Sequence, residues 1–178
     1  MNYPIFLRAV TAFLIIGLIG GNSAARAAES PPAACSTDSR YSEQDFTLGD
    51  WDVYAEGQKS ASVHLEKVLN GCAIQETWTP FGGSGEHGIG LFTYSRLLGH
   101  WGYFWVADNS QTTAFMGDRR GSHEMLYVTY APLAAGGRKE RHWTLALQPD
   151  GSIRELAVGS TDGKSWNPEY ELIWRRRK

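Results

Sequence analysis

The stretch TLGDWDVYAEG, residues 47–57, decides the fold class because its apolar and polar side chains alternate. Successive side chains of a β-strand point to opposite faces, so Trp51, Val53 and Ala55 share one face and the aspartates occupy the other. A strand with one apolar face covers a core on that side and meets water on the other. The stretch therefore predicts an amphipathic strand that begins with a tryptophan.

The rest of the chain repeats this pattern in short segments separated by turns. Nine further segments read as strands: SVHLEKVL, CAIQETW, IGLFTY, WGYFWVAD, TTAFMG, EMLYVTY, RHWTLALQ, SIRELAVG and EYELIWRR. The Pro-Asp-Gly turn at 149–151 is a hairpin signal. The sequence has no long helical pattern to cover a parallel sheet. It predicts an all-β fold, an antiparallel up-and-down barrel of about ten strands that leaves no open edge. A two-sheet sandwich is the alternative, and Ser42 is the predicted N-cap of a short N-terminal helix.

Residues 1–27 are typical of a secretory signal peptide. One basic residue, Arg8, precedes an apolar run over 9–19, and small residues lead to Ala-Arg-Ala at 25–27. The run is shorter than the roughly 20 residues of a membrane-spanning helix. We therefore expect cleavage, no stable membrane span afterwards, and a periplasmic or secreted protein. An uncleaved membrane anchor is the alternative.

The remaining chain divides into a flexible leader, residues 28–40, and a single barrel domain, residues 41–178. The cleaved segment contains two arginines and no acid, so cleavage changes the net charge from -2 to about -4. A mildly acidic protein lacks the basic face that nucleic-acid binding requires, so we expect no nucleic-acid partner. The sequence leaves the oligomeric state open.

The two cysteines of the chain, Cys35 and Cys72, predict one disulfide in an exported protein. Two thiols are too few for a sulfur metal site, and the five histidines lack the spacing of a metal site. His87 and His123 are the candidates for a barrel mouth, as heme ligands or general bases, although surface loop positions explain them more simply. We predict no metal and no cofactor.

Alternation also places other aromatic side chains together. Trp101, Tyr103 and Trp105 share one face of their strand, and Glu76 shares a face with Trp78. A barrel of eight to ten strands has room inside for side chains and one small ligand. The candidate ligand-binding residues are Glu76, Trp78, Tyr94, Trp101, Tyr103, Trp105, Tyr127, Arg141, Trp143 and Arg154.

Glu76 is the candidate polar group of this interior. A buried carboxylate must be paired or protonated, and Arg154 or Arg141, each in a late strand, is a candidate partner. Three roles stay open for Glu76: a structural ion pair, a polar anchor for a ligand, and a general acid with a raised pKa. No catalytic residue is assigned.

Gly49-Asp50-Trp51 resembles the Gly-x-Trp that opens the first strand of lipocalins and other calycins. The resemblance implies that Trp51 plugs one barrel end and that an arginine late in the last strand, Arg175 or Arg176, packs over it. A guanidinium over an indole contributes about 0.5–2 kcal/mol.

A closer resemblance, to a bacterial lipocalin-like family with many exported members and no agreed function, covers most of the mature chain. Its motifs match Cys35, FTLGDWDV, GCAIQETW, Tyr94, GHWGYFWVAD, DGSIRE, DGKSWN and YELIWRR. The chain departs from the family at Ala157 and Val158, in a region where family members often carry an acidic residue, and it lacks the glycine-rich heme motif of the related nitrobindins.

These observations favour a binding function. The first hypothesis is an exported barrel that binds a small hydrophobic or aromatic molecule in its interior. The second is an enzyme of the same fold, a cyclase, isomerase or lyase acting on an apolar biosynthetic intermediate, which rests on fold analogy alone. The third is a structural role for a barrel that is filled by its own side chains.

Overall fold

The computed structural model describes residues 35–83 and 85–178, and in this part of the chain it forms ten β-strands. The predicted signal peptide, residues 1–27, lies outside the described residues. The strands are β1 Gly49–Ala55, β2 Gln58–Val68, β3 Ala73–Pro80, β4 Gly88–Ser95, β5 His100–Ala107, β6 Thr112–Gly121, β7 Glu124–Pro132, β8 Arg138–Leu147, β9 Ile153–Ser160 and β10 Asn167–Arg176.

Each strand pairs with its sequence neighbours, and the first strand pairs with the last. Val53 of β1 lies opposite Trp174 of β10, and Trp51 lies opposite Arg176. All of these pairings are antiparallel. Because the first strand pairs with the last, the sheet closes into an up-and-down barrel. The predicted fold class is confirmed, and the sandwich alternative is wrong because closure leaves one continuous sheet.

The predicted short N-terminal helix is present as two 3-10 segments, Ser39–Ser42 and Asp45–Thr47. Asp38 caps the first segment, because its side chain accepts a hydrogen bond from the Arg40 backbone N–H at 3.1 Å. Ser42, the predicted cap, is the last residue of that segment. Two further 3-10 segments, Leu69–Gly71 and Phe81–Gly83, follow β2 and β3.

A disulfide joins Cys35 to Cys72 and confirms the predicted pairing. It connects the segment before β1 to the residue that precedes β3, across a sequence separation of 37 residues. This link holds the N-terminal 3-10 segments against one end of the barrel. Within the described residues, no helix is long and apolar enough to cross a membrane.

The core lies inside the barrel, where the alternating faces predicted from the sequence meet. Phe92 of β4 stacks on Tyr103 of β5 with ring centroids 4.2 Å apart, and Trp143 of β8 lies 4.8 Å from Tyr103. Aliphatic side chains from the other strands fill the space around these rings: Val53, Ala61, Val63, Leu65, Ile74, Met125, Leu145 and Ile153.

Trp51 closes one end of the barrel, which we call the closed end. Its indole is fully buried and donates to the Thr47 carbonyl at 2.7 Å. The Arg176 guanidinium lies 4.2 Å above the indole ring and donates to the Leu48 carbonyl at 3.1 Å. A Cβ on Gly49 would lie 2.6 Å from Nη1 of Arg176, so the glycine of the opening motif leaves space for this guanidinium.

The arginine over Trp51 is therefore Arg176 and not Arg175. Adjacent side chains of a strand point to opposite sides, so Arg175 lies outside the barrel, 5.0 Å above the Tyr54 ring. The plug that the lipocalin resemblance implies is thus present. The prediction that Arg175 packs over Trp51 is wrong.

Candidate functional site

A cavity of about 350 Å³ lies at the other end of the barrel, which we call the open end. Glu86 and Gln111, from the loops that follow β3 and β5, line its mouth. Trp78 and Trp105 line it too and are only half-buried, so the cavity is partly open to solvent.

Most of the predicted ligand-binding residues meet in this cavity. Six of them line it: Glu76, Trp78, Tyr103, Trp105, Arg141 and Trp143. Alternation within β3, β5 and β8 points these side chains inward. Strand pairing places the six residues toward the same end of the barrel. The remaining lining includes Thr113 and Phe115 of β6.

Three predicted residues, Tyr94, Trp101 and Tyr127, face the interior at the closed end and do not line the cavity. The Trp101 indole donates to the Glu43 carboxylate at 3.0 Å, and the Tyr127 hydroxyl donates to the Gln44 side-chain carbonyl. Both partners belong to the N-terminal 3-10 region. These aromatic residues therefore hold that segment against the barrel.

Arg154 was predicted to face the interior, and this prediction is wrong. It lies on the outer face of β9 and forms two hydrogen bonds of 3.0 Å with Glu171 of β10. Arg141 does line the cavity, but its guanidinium pairs with Glu169. The predicted ion pair between Glu76 and an arginine is absent among the described residues.

Glu76 is almost fully buried, with 2% of its surface exposed, and its Oε2 accepts a hydrogen bond of 2.8 Å from the Tyr103 hydroxyl. Burial raises the pKa of Glu76 to about 8, with a further rise from nearby Glu155 and an opposing effect of the Tyr103 hydrogen bond. Burial also raises the pKa of Tyr103 well above its usual value, so its hydroxyl stays a donor at neutral pH.

Gly90 of β4 makes room for this hydrogen bond. A Cβ there would lie 2.4 Å from Cε2 of Tyr103 and 2.7 Å from Oε2 of Glu76, closer than packed carbon and oxygen atoms approach. Strand pairing places Gly90 opposite Glu76. The glycine therefore lets the tyrosine ring lie across its neighbour strand and reach the carboxyl group.

The sequence interpretation missed a second carboxyl group, Glu155 of β9, which is 5% exposed. One oxygen accepts from the Trp143 indole and the other from the Trp174 indole, each at 2.8 Å, and the Tyr170 hydroxyl is a further donor. Burial raises the pKa of Glu155, while these hydrogen bonds oppose the rise. Strand alternation was the available signal, because Glu155 lies between Ile153 and Ala157 on the inward face.

The open end thus presents two buried carboxyl groups, Glu76 and Glu155, to a cavity with aromatic walls. Neither Glu76 nor Glu155 forms an ion pair with a described residue. No group of three or more histidine, cysteine, aspartate or glutamate side chains suited to a metal ion occurs in the described ranges. The arrangement can bind a neutral or positively charged polar group, and Glu76 can exchange a proton near neutral pH.

A comparison with models of known protein families found no match, and no curated protein sequence is significantly similar to the chain. The lipocalin-like resemblance therefore stays a prediction beyond the barrel fold itself. The function has to be argued from the site.

Proposed function

We propose that this protein is an exported barrel that binds a small apolar or aromatic molecule in the cavity at its open end. The observation that supports the proposal most strongly is the cavity of about 350 Å³ inside a barrel whose other end is plugged. Ligand sites are typically concave, mostly aromatic or apolar, and supplied with a few polar groups. This cavity is concave, and just over half of its lining residues are aromatic or aliphatic, with polar groups among them.

The walls indicate the kind of molecule that fits. Trp78, Trp105 and Phe115 offer ring surfaces, and Glu76 and Glu155 supply the polar groups. Rings bury a large apolar area on contact with a ligand and favour flat partners. A cavity of this volume also weighs against the third hypothesis, a barrel filled by its own side chains.

Export is supported by two independent features of the chain. Residues 1–27 have the order of a signal peptide, and the Cys35–Cys72 disulfide is a bond that persists in oxidising compartments. We infer a periplasmic or secreted protein. Intact mass measurement of the exported protein is expected to find a chain that begins at Ala28 and is lighter by the two hydrogens of one disulfide. An uncleaved chain or two free thiols would contradict export.

The binding proposal is tested by mass spectrometry under native and denaturing conditions, on protein exported from a bacterial host. We expect a mass excess in the native spectrum that disappears on denaturation, or a saturable complex with a member of a panel of small aromatic molecules. A clean mass together with no saturable binding would overturn the proposal.

Two glycine variants provide a matched control for this experiment. Gly90→Ala forces Tyr103 or Glu76 to move and is expected to abolish or weaken the complex. Gly102→Ala adds the same methyl group in a neighbouring strand, where the nearest atoms are 3.9 Å and 4.0 Å away, and is expected to leave binding unchanged. Equal effects of the two substitutions would mean that the cavity is not the site.

A second candidate function is proton transfer on an apolar substrate, as in an isomerase or a lyase. The observation that favours it is Glu76, a buried carboxyl with a pKa of about 8 that faces the cavity and is hydrogen-bonded to Tyr103. A general acid or base is most effective when its pKa is near the working pH. If the native ligand is converted on incubation, Glu76→Gln is expected to stop conversion while the complex still forms. Conversion at an unchanged rate would exclude this role.

A further inference from the structure

The two carboxyl groups of the open end lack a counter-ion within the described chain. Among residues 35–83 and 85–178, Arg141 is the one cationic side chain that lines the cavity, and it is paired with Glu169 of β10. Buried carboxyl groups are normally paired with a cation, fully hydrogen-bonded, or kept neutral. Among the described residues no cation is paired with either carboxyl group, so Glu76 stays buried here as a neutral group, and a bound cation would let it ionise.

The two carboxyl groups differ in how well the protein satisfies them. Both oxygens of Glu155 accept an indole N–H, from Trp143 and Trp174, so this side chain is fixed by its neighbours. Glu76 accepts one hydrogen bond, from Tyr103, and its other oxygen has no hydrogen-bond donor among the described residues. A carboxylate has room for about four hydrogen bonds, so Glu76 keeps accepting capacity toward the cavity.

The walls of the cavity also favour a positive group. Trp78 and Trp105 are half-buried beside the mouth, and the negative faces of aromatic rings attract cations. An anionic ligand would meet the glutamates of the lining, while Arg141 is already paired with Glu169, so the cavity offers it little stabilisation. A neutral apolar ligand would fill the space and leave the Glu76 oxygen without a donor.

Resting on the proposed function, we propose that the ligand is a small aromatic or apolar molecule with a protonated amine. The amine donates to the Glu76 carboxylate, and the ring lies against Trp78 and Trp105. A cavity of about 350 Å³ accepts one ring system with a short aminoalkyl chain.

Binding of such a cation is coupled to a proton. Because the pKa of Glu76 is about 8 without a ligand, this carboxyl is mostly protonated at neutral pH. An amine binds the ionised form, so it displaces this proton. The other titratable groups that face Glu76 across the cavity are Tyr103, Glu155, Tyr170 and Arg141, with Glu86 at the mouth.

The test compares three soluble probes of similar size by isothermal titration calorimetry on the mature protein: 2-phenylethylamine, 2-phenylethanol and 3-phenylpropanoate. They place a cation, a neutral hydroxyl and an anion at the end of the same phenylalkyl body. At about pH 9, where Glu76 is largely ionised and the amine is still largely protonated, a charge-assisted hydrogen bond predicts that the amine binds about tenfold or more tightly than the alcohol. We expect the anion to bind most weakly.

Glu76→Gln tests recognition of the amine separately from binding of the apolar part of the ligand. The glutamine keeps the size of the side chain and removes its charge, so we expect the preference for the amine over the alcohol to fall by about tenfold while alcohol binding stays within about twofold. In wild-type protein, amine binding is expected to release protons at neutral pH, seen as a binding enthalpy that depends on the buffer.

Each outcome has a distinct meaning. If the alcohol binds as tightly as the amine, or if Glu76→Gln leaves the preference unchanged, the amine proposal is overturned and the apolar binding function stands. If none of the probes binds and the wider aromatic panel also fails, both proposals are overturned.

Discussion

The closed end and the open end of the barrel are built from the same strands and the same alternation, yet the polar atoms at the two ends have different surroundings. At the closed end, the indoles of Trp51 and Trp101 donate to Thr47 and Glu43, both from the N-terminal region. At the open end, the buried Glu76 carboxyl faces a cavity. The closed end is completed by the chain, and the open end holds the cavity in which we propose that a ligand binds.

This difference shows what the extra segment before β1 contributes. Glu43, Gln44 and Thr47 accept hydrogen bonds from the aromatic side chains of the closed end. The Cys35–Cys72 disulfide ties this segment to the barrel. Polar atoms that are buried without partners cost free energy, so a plugged end contributes to stability. An unplugged end loses some of that stability and gains a place to bind a ligand.

The largest difference between the ends is expected from two tryptophan truncations. Trp51 is fully buried, so Trp51→Ala is expected to reduce the free energy of unfolding by about 3–5 kcal/mol. Trp105 is half-buried at the cavity, so Trp105→Ala is expected to cost about 1 kcal/mol and mainly to weaken ligand binding. Denaturant unfolding measures both variants. Equal losses of stability would mean that the two ends are not distinct.

Removing the disulfide sharpens the comparison further. Cys35→Ser with Cys72→Ser releases a closed loop of 37 residues and is expected to cost roughly 3–4 kcal/mol in the chain-entropy model. The disulfide lies at the closed end, so ligand affinity is expected to change little wherever the variant remains folded. Thermal unfolding and calorimetric titration test the two halves of this prediction. A large loss of affinity in the folded variant would show that the two ends are coupled and would contradict this prediction.

The pH dependence of stability reports on the open end. Below about pH 4.5 Glu76 is protonated in both states, and between there and about pH 8 only the folded state keeps the proton. The contribution of Glu76 to stability is therefore full below about pH 4.5 and is lost as pH rises through that window, by at most about 1.4 kcal/mol per pH unit. Glu155, whose pKa is also raised, contributes in the same direction.

Glu76→Gln is expected to remove its share of this slope and to make the protein more stable than wild type above pH 8. Glu171→Gln is the matched control, because the Arg154 hydrogen bond lowers the pKa of Glu171 and it stays ionised across the window. Urea unfolding at a series of pH values measures the slopes. A wild-type slope in Glu76→Gln would show that Glu76 is ionised when buried.

The smallest effect is expected from the arginine over Trp51. Arg176→Gln removes the stacked guanidinium and its bond to Leu48, and we expect a loss of about 0.5–1 kcal/mol. Arg175→Gln, one residue away and outside the barrel, is expected to change stability less. If Arg175→Gln were the more damaging substitution, the assignment of the plug to Arg176 would be contradicted.

The sequence predicted the barrel because alternation every second residue is a local property that each strand displays by itself. It also predicted that Glu76, Trp78 and Tyr103 face the interior. It did not predict the depth of a side chain along the barrel axis, because depth depends on strand register and tilt. For that reason Trp101 and Tyr127 were grouped with the cavity although they lie at the closed end.

Alternation within β9 was enough to predict that Glu155 faces the interior and that Arg154 does not, and the sequence analysis missed both. Ile153 and Ala157 fix the inward face of β9, so Glu155 points in and Arg154 points out. A buried carboxylate needs a partner, for which the sequence offers Arg154 or Arg141, and the structure instead gives Glu76 a tyrosine hydroxyl. That partner was not predictable, since it depends on Gly90 leaving space between two neighbouring strands.

The most direct test of the open end as a binding site is to fill it. Thr113 of β6 lines the cavity, and its neighbour Thr112 is exposed on the outer face of the same strand. A neutral apolar dye that binds wild-type protein saturably is expected to lose binding to Thr113→Trp and to keep it in Thr112→Trp, with both variants folded by circular dichroism. Binding that survives Thr113→Trp, or that disappears in both variants, would contradict the assignment of the ligand site to this cavity.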